Sequence, residues 1–171
     1  NPKAFYGLAF MMAPRSLKKK DDEDEERSKN FIKMLKIATE FVNELADFVL
    51  GQLYISGFYV KENYVISLVY IKYAADKKLP SAMLMYATRL RKIANSEIDD
   101  DELTDLKNKC ADILNDTSDY GNKSNQLRLT ATRLFATIED PRLADLVSRV
   151  YYQKVIDCDK SSKEQKKSAK S

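Results

Sequence analysis

The sequence predicts an all-α fold of antiparallel helical hairpins stacked side by side, and three observations carry that expectation. Apolar residues recur at helical spacing along most of the chain, and capping residues rather than strand-like alternation separate the runs. Glycine and proline are scarce, 4 each in 171 residues, which disfavours β-sandwiches and disordered chains. Small residues also return at fixed offsets beside large ones. Ala46, Leu50, Gly51 and Tyr54 reappear as Ala82, Tyr86, Ala87 and Leu90 at a shift of 36. A fixed period of that size marks stacked hairpins, because one hairpin cannot cover its own apolar face.

The elements follow in order. Residues 3–13 are nearly all apolar and end at Pro14, giving a first helix. Residues 15–27 are a charge block, Lys18 to Lys20 and then Asp21 to Glu26, which cannot bury itself and reads as a solvated loop. Ser28 is the N-cap of a second helix whose face is Phe31, Met34, Leu35, Ala38, Phe41 and Val42. A third helix covers 45–56 and stops at Gly57; a fourth covers 63–77 with Asn63 as its cap. Pro80 fits the first turn of a fifth, over 80–94.

Asp99 followed by Glu102 resembles a capping box and opens a sixth helix, striped by Leu103, Leu106, Cys110, Ile113 and Leu114. Residues 115–124 are loop by composition. Leu127, Ala131, Leu134, Phe135 and Ile138 make a seventh stripe. Asp140-Pro141 opens an eighth helix, with Leu143, Leu146, Val147, Val150, Tyr151 and Val155 on its stripe. The expected organisation is one domain. Hairpin repeats occupy 1–95, with the charged loop at 15–27. Further helices over 96–158 pack as a C-terminal cap, and 159–171 form a disordered basic tail.

The repeat extends to both helices of a hairpin. Ala4, Leu8, Ala9 and Met12 align with Ala46, Leu50, Gly51 and Tyr54 at a shift of 42, the acidic block accounting for the excess. Met34, Lys36 and Ala38 align with Tyr70, Lys72 and Ala74. Gly51, Ala74 and Ala75 are expected where helices approach closely, and Tyr54 and Tyr70 fill the gaps around them.

Over residues 46–79, and more loosely to 90, this pattern resembles the Sel-one-like repeat family, a relative of the tetratricopeptide repeats. Ala46, Leu50, Gly51, Tyr54, Gly57, Val60, Tyr70, Ala74 and Ala75 stand in register with it. Tyr59 replaces the family's second turn glycine, Asn63 its Asp, Ile66 a Lys and Ser67 an Ala. The resemblance implies a short α-solenoid that scaffolds protein complexes without catalysis. It also implies a partner groove lined by the first helices of the hairpins, near Gln52, Tyr54, Ser56 and Arg89. Phe58, Tyr59 and Tyr64 surround the turn after Gly57 and allow two readings: an apolar tip plugged into the next hairpin, or a patch that docks a partner. Tyr59 therefore joins the candidate partner-binding residues. Tyr151 and Tyr152 pose the same choice.

Catalytic chemistry has little to draw on. Histidine is absent, so no Ser/His/Asp or Cys/His device can be built. The carboxylates sit in solvated runs, Asp21 to Glu26 and Asp99 to Glu102, and neither run has the glycine of a calcium loop. Gly7, Gly51, Gly57 and Gly121 are isolated and make no phosphate-binding loop. The expectation is no enzyme, no catalytic, cofactor or metal residues, and no small-molecule substrate.

Cys110 and Cys158 have neither disulfide-framework nor metal-ligand spacing, so a reducing intracellular compartment, cytosol or mitochondrion, is the simpler reading. The first residue is Asn1 rather than Met, as in a processed chain or a piece of a longer one. The sequons Asn115-Asp116-Thr117 and Asn122-Lys123-Ser124 keep the endoplasmic reticulum lumen as the alternative, although motifs this short recur by chance. No apolar stretch reaches the ~18 residues of a membrane span.

Net charge is +3 from 29 basic and 26 acidic residues, which makes no case for nucleic acid by itself. The expected function is therefore an adaptor that binds a partner protein or larger complex, in complex assembly or quality control. The alternative is an organellar RNA- or ribosome-associated factor using Arg128, Arg133, Arg142 and Arg149, beside the cluster Arg89, Arg91 and Lys92. Lys160, Lys163, Lys166, Lys167 and Lys170 read as a solubilising tail before an anchor for anionic lipid.

Overall fold

The structure, a computed structural model, describes residues 22–41, 43–115 and 124–170. Seven helices and no strand occur among them: α1 (Asp22–Glu40), α2 (Glu44–Ser56), α3 (Tyr64–Asp76), α4 (Pro80–Ala94), α5 (Asp100–Asn115), α6 (Ser124–Glu139) and α7 (Pro141–Ser168). The fold is all-α. The helix expected over 3–13 lies outside the described residues, as do the first-repeat positions Ala4, Leu8, Ala9 and Met12 and most of the 115–124 loop.

The helix boundaries are set by local chemistry. Asn43 accepts the Ala46 N–H at 2.9 Å and opens α2; Asn63 accepts that of Ile66 at 3.1 Å and opens α3. Gly57 closes α2 at φ 70°, its own N–H returning to the Leu53 carbonyl at 2.9 Å. Pro80 occupies the first turn of α4, Asp99 accepts the Glu102 N–H at 2.7 Å, and Asp140 accepts that of Arg142 at 3.0 Å. The start of α1 differs from expectation. The acidic run from Asp22 forms its first turns rather than a loop, and Ser28 lies inside the helix rather than at its cap. Carboxylates near a helix N-terminus are stabilised by the positive end of the helix dipole, so an acidic run is as compatible with a helix start as with a loop.

α2 and α3 form an antiparallel hairpin. Asp47 near the start of α2 pairs with Lys77 just past the end of α3, and Tyr54 stacks on Tyr70 with ring centroids 6.0 Å apart and planes 8° apart. Gly51 lies at the crossing. The shift of 36 is visible in burial: Ala46, Leu50, Gly51 and Tyr54, and likewise Ala82, Tyr86, Ala87 and Leu90, are all buried. α3 is the centre of the fold. Its sequence is apolar almost all round and ten of its thirteen residues are buried, so it must be enclosed. α2, α4, α5 and α6 pack about it.

The C-terminal half departs from simple hairpin order. α4 makes its most extensive contact with α7, not with its sequence neighbour α5. Tyr86 meets Tyr151 edge-on at 5.0 Å, and the Tyr151 hydroxyl donates to Asp76 at the end of α3. α5 and α6 pack on each other as an excursion between α4 and α7, burying Leu106, Cys110 and Ile113 with Leu127, Ala131, Leu134 and Ile138. Lys107 of α5 pairs with Glu139 at the end of α6 at 2.9 Å.

Two expectations for α7 are corrected. Leu146 and Val150 of its expected stripe are 59% and 47% exposed; Tyr151 of that stripe does face the core, with Ala144 and Ser148 beside it in place of the other two. Residues 159–168, expected to be disordered, continue the helix to Ser168, each of them exposed. A helix already nucleated on the core extends at one hydrogen bond per added residue, and i,i+4 pairs such as Asp159–Lys163 at 2.8 Å support it. No helix among the described residues is long and apolar enough to cross a membrane.

Candidate functional site

A largely apolar groove of about 400 Å³ lies between α2 and α4, floored by α3. α2 contributes Phe48 and Ile55, and α3 contributes Leu68 and Ile71 from its buried surface. α4 supplies the other wall, with Leu84 and Met85 at mid-length, Ser81 at its start, and Thr88, Arg89 and Lys92 toward its end. The helical period explains why α4 has two apolar sides. Ala82, Tyr86, Ala87 and Leu90 turn inward to α3 and α7, and Leu84 and Met85 fall between them and look out. Leu84 is 48% exposed, and solvent contact on that scale for a leucine flanked by other apolar groups marks a surface suited to a partner.

Tyr64 and Arg89 close one end. The Arg89 guanidinium lies 4.0 Å from the centroid of the Tyr64 ring and pairs with Glu102 at the start of α5. Burial pushes the Tyr64 phenol up, and the neighbouring Arg89 charge opposes it in part. Arg89 is thus held in a cation–π and ion-pair contact, which fixes the end wall and leaves Lys92 as the exposed charge on the rim. No carboxylate lines the groove.

The structure separates the residues expected to bind a partner. Arg89 lines the groove. Gln52, one turn on from Phe48 and one turn before Ile55, is exposed on the same side of α2 but is not part of the lining. Ser56 is exposed and serves the turn, its hydroxyl donating to the Leu53 carbonyl at 3.2 Å and accepting the Phe58 N–H at 3.3 Å. Tyr54 is buried against Tyr70 and does not line the groove, in keeping with its gap-filling place in the repeat.

Tyr59 is away from the groove as well. Its ring meets Phe31 of α1 edge-on at 5.7 Å, so the turn tip plugs into the neighbouring helix; Phe58 beside it remains 48% exposed. Tyr59 does this at φ 63°, a left-handed conformation that favours glycine. A second concavity, about 530 Å³ between this turn and α1, is lined by Tyr59, Val60, Lys61 and the polar Glu25, Ser28 and Lys29. It lies beside the first turns of α1 and carries three charged residues, Glu25, Lys29 and Lys61, in its lining.

Phe48, Ile55, Leu84 and Met85 escaped sequence reasoning, and Lys92 entered it only as part of a basic cluster for RNA. One signal was available for Leu84: it lies off the inward stripe of its helix. The remaining candidates carry less. Tyr152 packs inward, its hydroxyl 3.2 Å from that of Thr88 and the Arg91 guanidinium 5.7 Å from its ring. Arg142 and Arg149 are matched by Asp140 and Asp145 at 3.6 and 2.9 Å. Burial pushes the Cys110 thiol up to about 12, which makes it a core residue rather than a nucleophile. Comparison with protein-family models, with curated proteins and with solved structures finds no match for the chain.

Proposed function

We propose that this chain is a non-catalytic adaptor that binds a partner protein in the groove between α2 and α4. The observation that carries the reading is Leu84, half-exposed in the middle of an apolar lining that the fold leaves open. The side chains there suit docking rather than chemistry: the functional groups are a phenol, two hydroxyls, a guanidinium and an ammonium, with no carboxylate or thiol to act as base or nucleophile. Two features support placing the hairpin among Sel-one-like repeats. Equivalent residues of successive repeats are buried alike, and Tyr59 adopts a left-handed backbone at the position where that pattern has glycine. The free thiols Cys110 and Cys158 suit a reducing compartment such as the cytosol or mitochondrion.

The exposed end of α7 favours a second reading, an RNA-associated factor, because Lys160, Lys163 and Lys167 fall along one stripe of that helix. Affinity capture from cells that make the protein separates the two. The adaptor reading expects Leu84→Glu to abolish capture of a defined protein set, and a chain ending at Cys158 to retain it. Capture that is nuclease-sensitive, falls steeply with salt and is lost on that truncation overturns the adaptor reading.

A further inference from the structure

We infer that the occupant of the α2–α4 groove is an amphipathic helix of another protein, about three turns long, with acidic side chains at the end that lies over Lys92. The inference rests on the groove reading above and names its partner.

The first argument is the backbone. Most of the lining belongs to helix interiors, whose amides and carbonyls are already paired within the helix; Ser81 and Tyr64 in the first turns of α4 and α3, and Ile55 and Lys92 in the last turns of α2 and α4, are the exceptions. The groove offers no strand edge. An extended peptide pressed against it would bury its own N–H and C=O groups with few partners, at a cost for each. A helix brings its backbone already satisfied and presents only side chains.

The second argument is dimension. Phe48 and Ile55 are two turns apart on α2, and Ser81 and Lys92 about three turns apart on α4, so the walls span roughly 10–17 Å at 1.5 Å per residue. Apolar anchors at i, i+3 or i+4, and i+7 on a bound helix would cover that length.

The third argument is charge. The groove's two ionisable cations, Arg89 and Lys92, stand at one end, and nothing acidic lines the groove. Glu102 engages Arg89, and Arg91 faces the Tyr152 ring, so Lys92 is the cation free to meet an incoming carboxylate. The chain's own segment 1–21 is apolar enough to compete, but its charges are mostly Lys3, Arg15 and Lys18 to Lys20, of the same sign as Lys92. Charge thus favours a foreign acidic helix.

The test is selection of a displayed library of random peptides of about fourteen residues, the length of four helical turns, against the full chain. The expected winners carry apolar residues at i, i+3 or i+4, and i+7 with Asp or Glu clustered at one end. They become helical on binding, lose at least tenfold in affinity on Leu84→Glu, and prefer Lys over Glu at that end when the target is Lys92→Glu. Circular dichroism of both variants checks that the fold is kept. Winners that depend on Leu84 but are extended or basic overturn the helix or the acidic assignment and leave the groove reading standing. Winners indifferent to Leu84→Glu, or no enrichment at all, overturn the groove reading itself. Two further outcomes overturn the foreign occupant: a dimer that Leu84→Glu converts to monomer, and binding that requires removal of residues 1–21.

Discussion

A Cβ atom built on Gly51 stands 2.6 Å from Cγ1 of Ile71, with the Ser67 carbonyl oxygen 3.2 Å away. The α2–α3 crossing is therefore set by an absent side chain. In a free helix Gly→Ala is stabilising by about 0.5–1 kcal/mol. Here the overpacking term has the opposite sign and wins, because the carbonyl is backbone and cannot rotate away. Gly51→Ala should destabilise by about 1–3 kcal/mol in urea unfolding, and Gly51→Leu by more.

Tyr59 combines backbone strain with packing. A left-handed backbone costs a residue with a Cβ roughly 1–2 kcal/mol, a cost that glycine escapes. The ring on Phe31 offsets that cost through buried area and an edge-on aromatic contact. Stability should fall from wild type to Tyr59→Gly, which loses the ring and the strain together. It should fall further to Tyr59→Ala, which loses the ring and keeps the strain. Thermal melts that rank alanine above glycine would remove the strain from this explanation.

Asp47 is fully buried, and its charge partner Lys77 comes from beyond the end of the next helix. Removing Lys77 takes a charge partner from a carboxylate that has no contact with solvent. Lys77→Met should cost about 3 kcal/mol, and adding Asp47→Asn should return part of the loss. A double mutant no more stable than the single would show that the pair's charge is not the cause.

Much of the fold was legible because its signals are local. Asn63, Gly57, Pro80 and Asp140 each act on their own helix end, and the structure uses them as the sequence suggests. The misreadings have physical causes too. Acidic residues from Asp22 onward serve equally as a solvated run and as a helix start, and only the turns that follow decide. Residues 159–168 lack apolar anchors, so nothing in their composition announces a helix that is carried outward from the core. The pairing of α4 with α7 depends on Tyr86 meeting Tyr151 across 65 positions, a relation that no period encodes. The groove was half legible. Arg89 was found because it is polar on an apolar helix. Leu84 and Phe48 stand on no stripe or repeat position that the sequence singles out, and only the packing of α2, α3 and α4 shows that they flank a groove.

The two thiols should behave differently. Burial raises Cys110 to about 12, so its thiolate is scarce in the folded chain at pH 8 to 9, and access is closed as well. A thiol-specific reagent at pH 8 should modify the partly buried Cys158 and spare Cys110 until denaturant is added. The linkage has a matching sign. A raised folded-state value contributes stability below the unfolded thiol range near 8.5, and that contribution is lost as pH climbs toward 12. Unfolding midpoints of Cys110→Ala should therefore depend less on pH above 9 than those of wild type.

The central claim is that the face carrying Leu84 meets another protein, and site-directed photo-crosslinking tests it most directly. A photoreactive phenylalanine derivative placed at Leu84 reports on the groove. The same group at Leu146, 59% exposed on α7, controls for apolar exposure alone. Irradiation in living cells should join the chain to a distinct partner from position 84 and to nothing specific from position 146. Equal crosslinking from both positions, or a specific adduct from 146 only, would contradict the account and move the functional surface to α7.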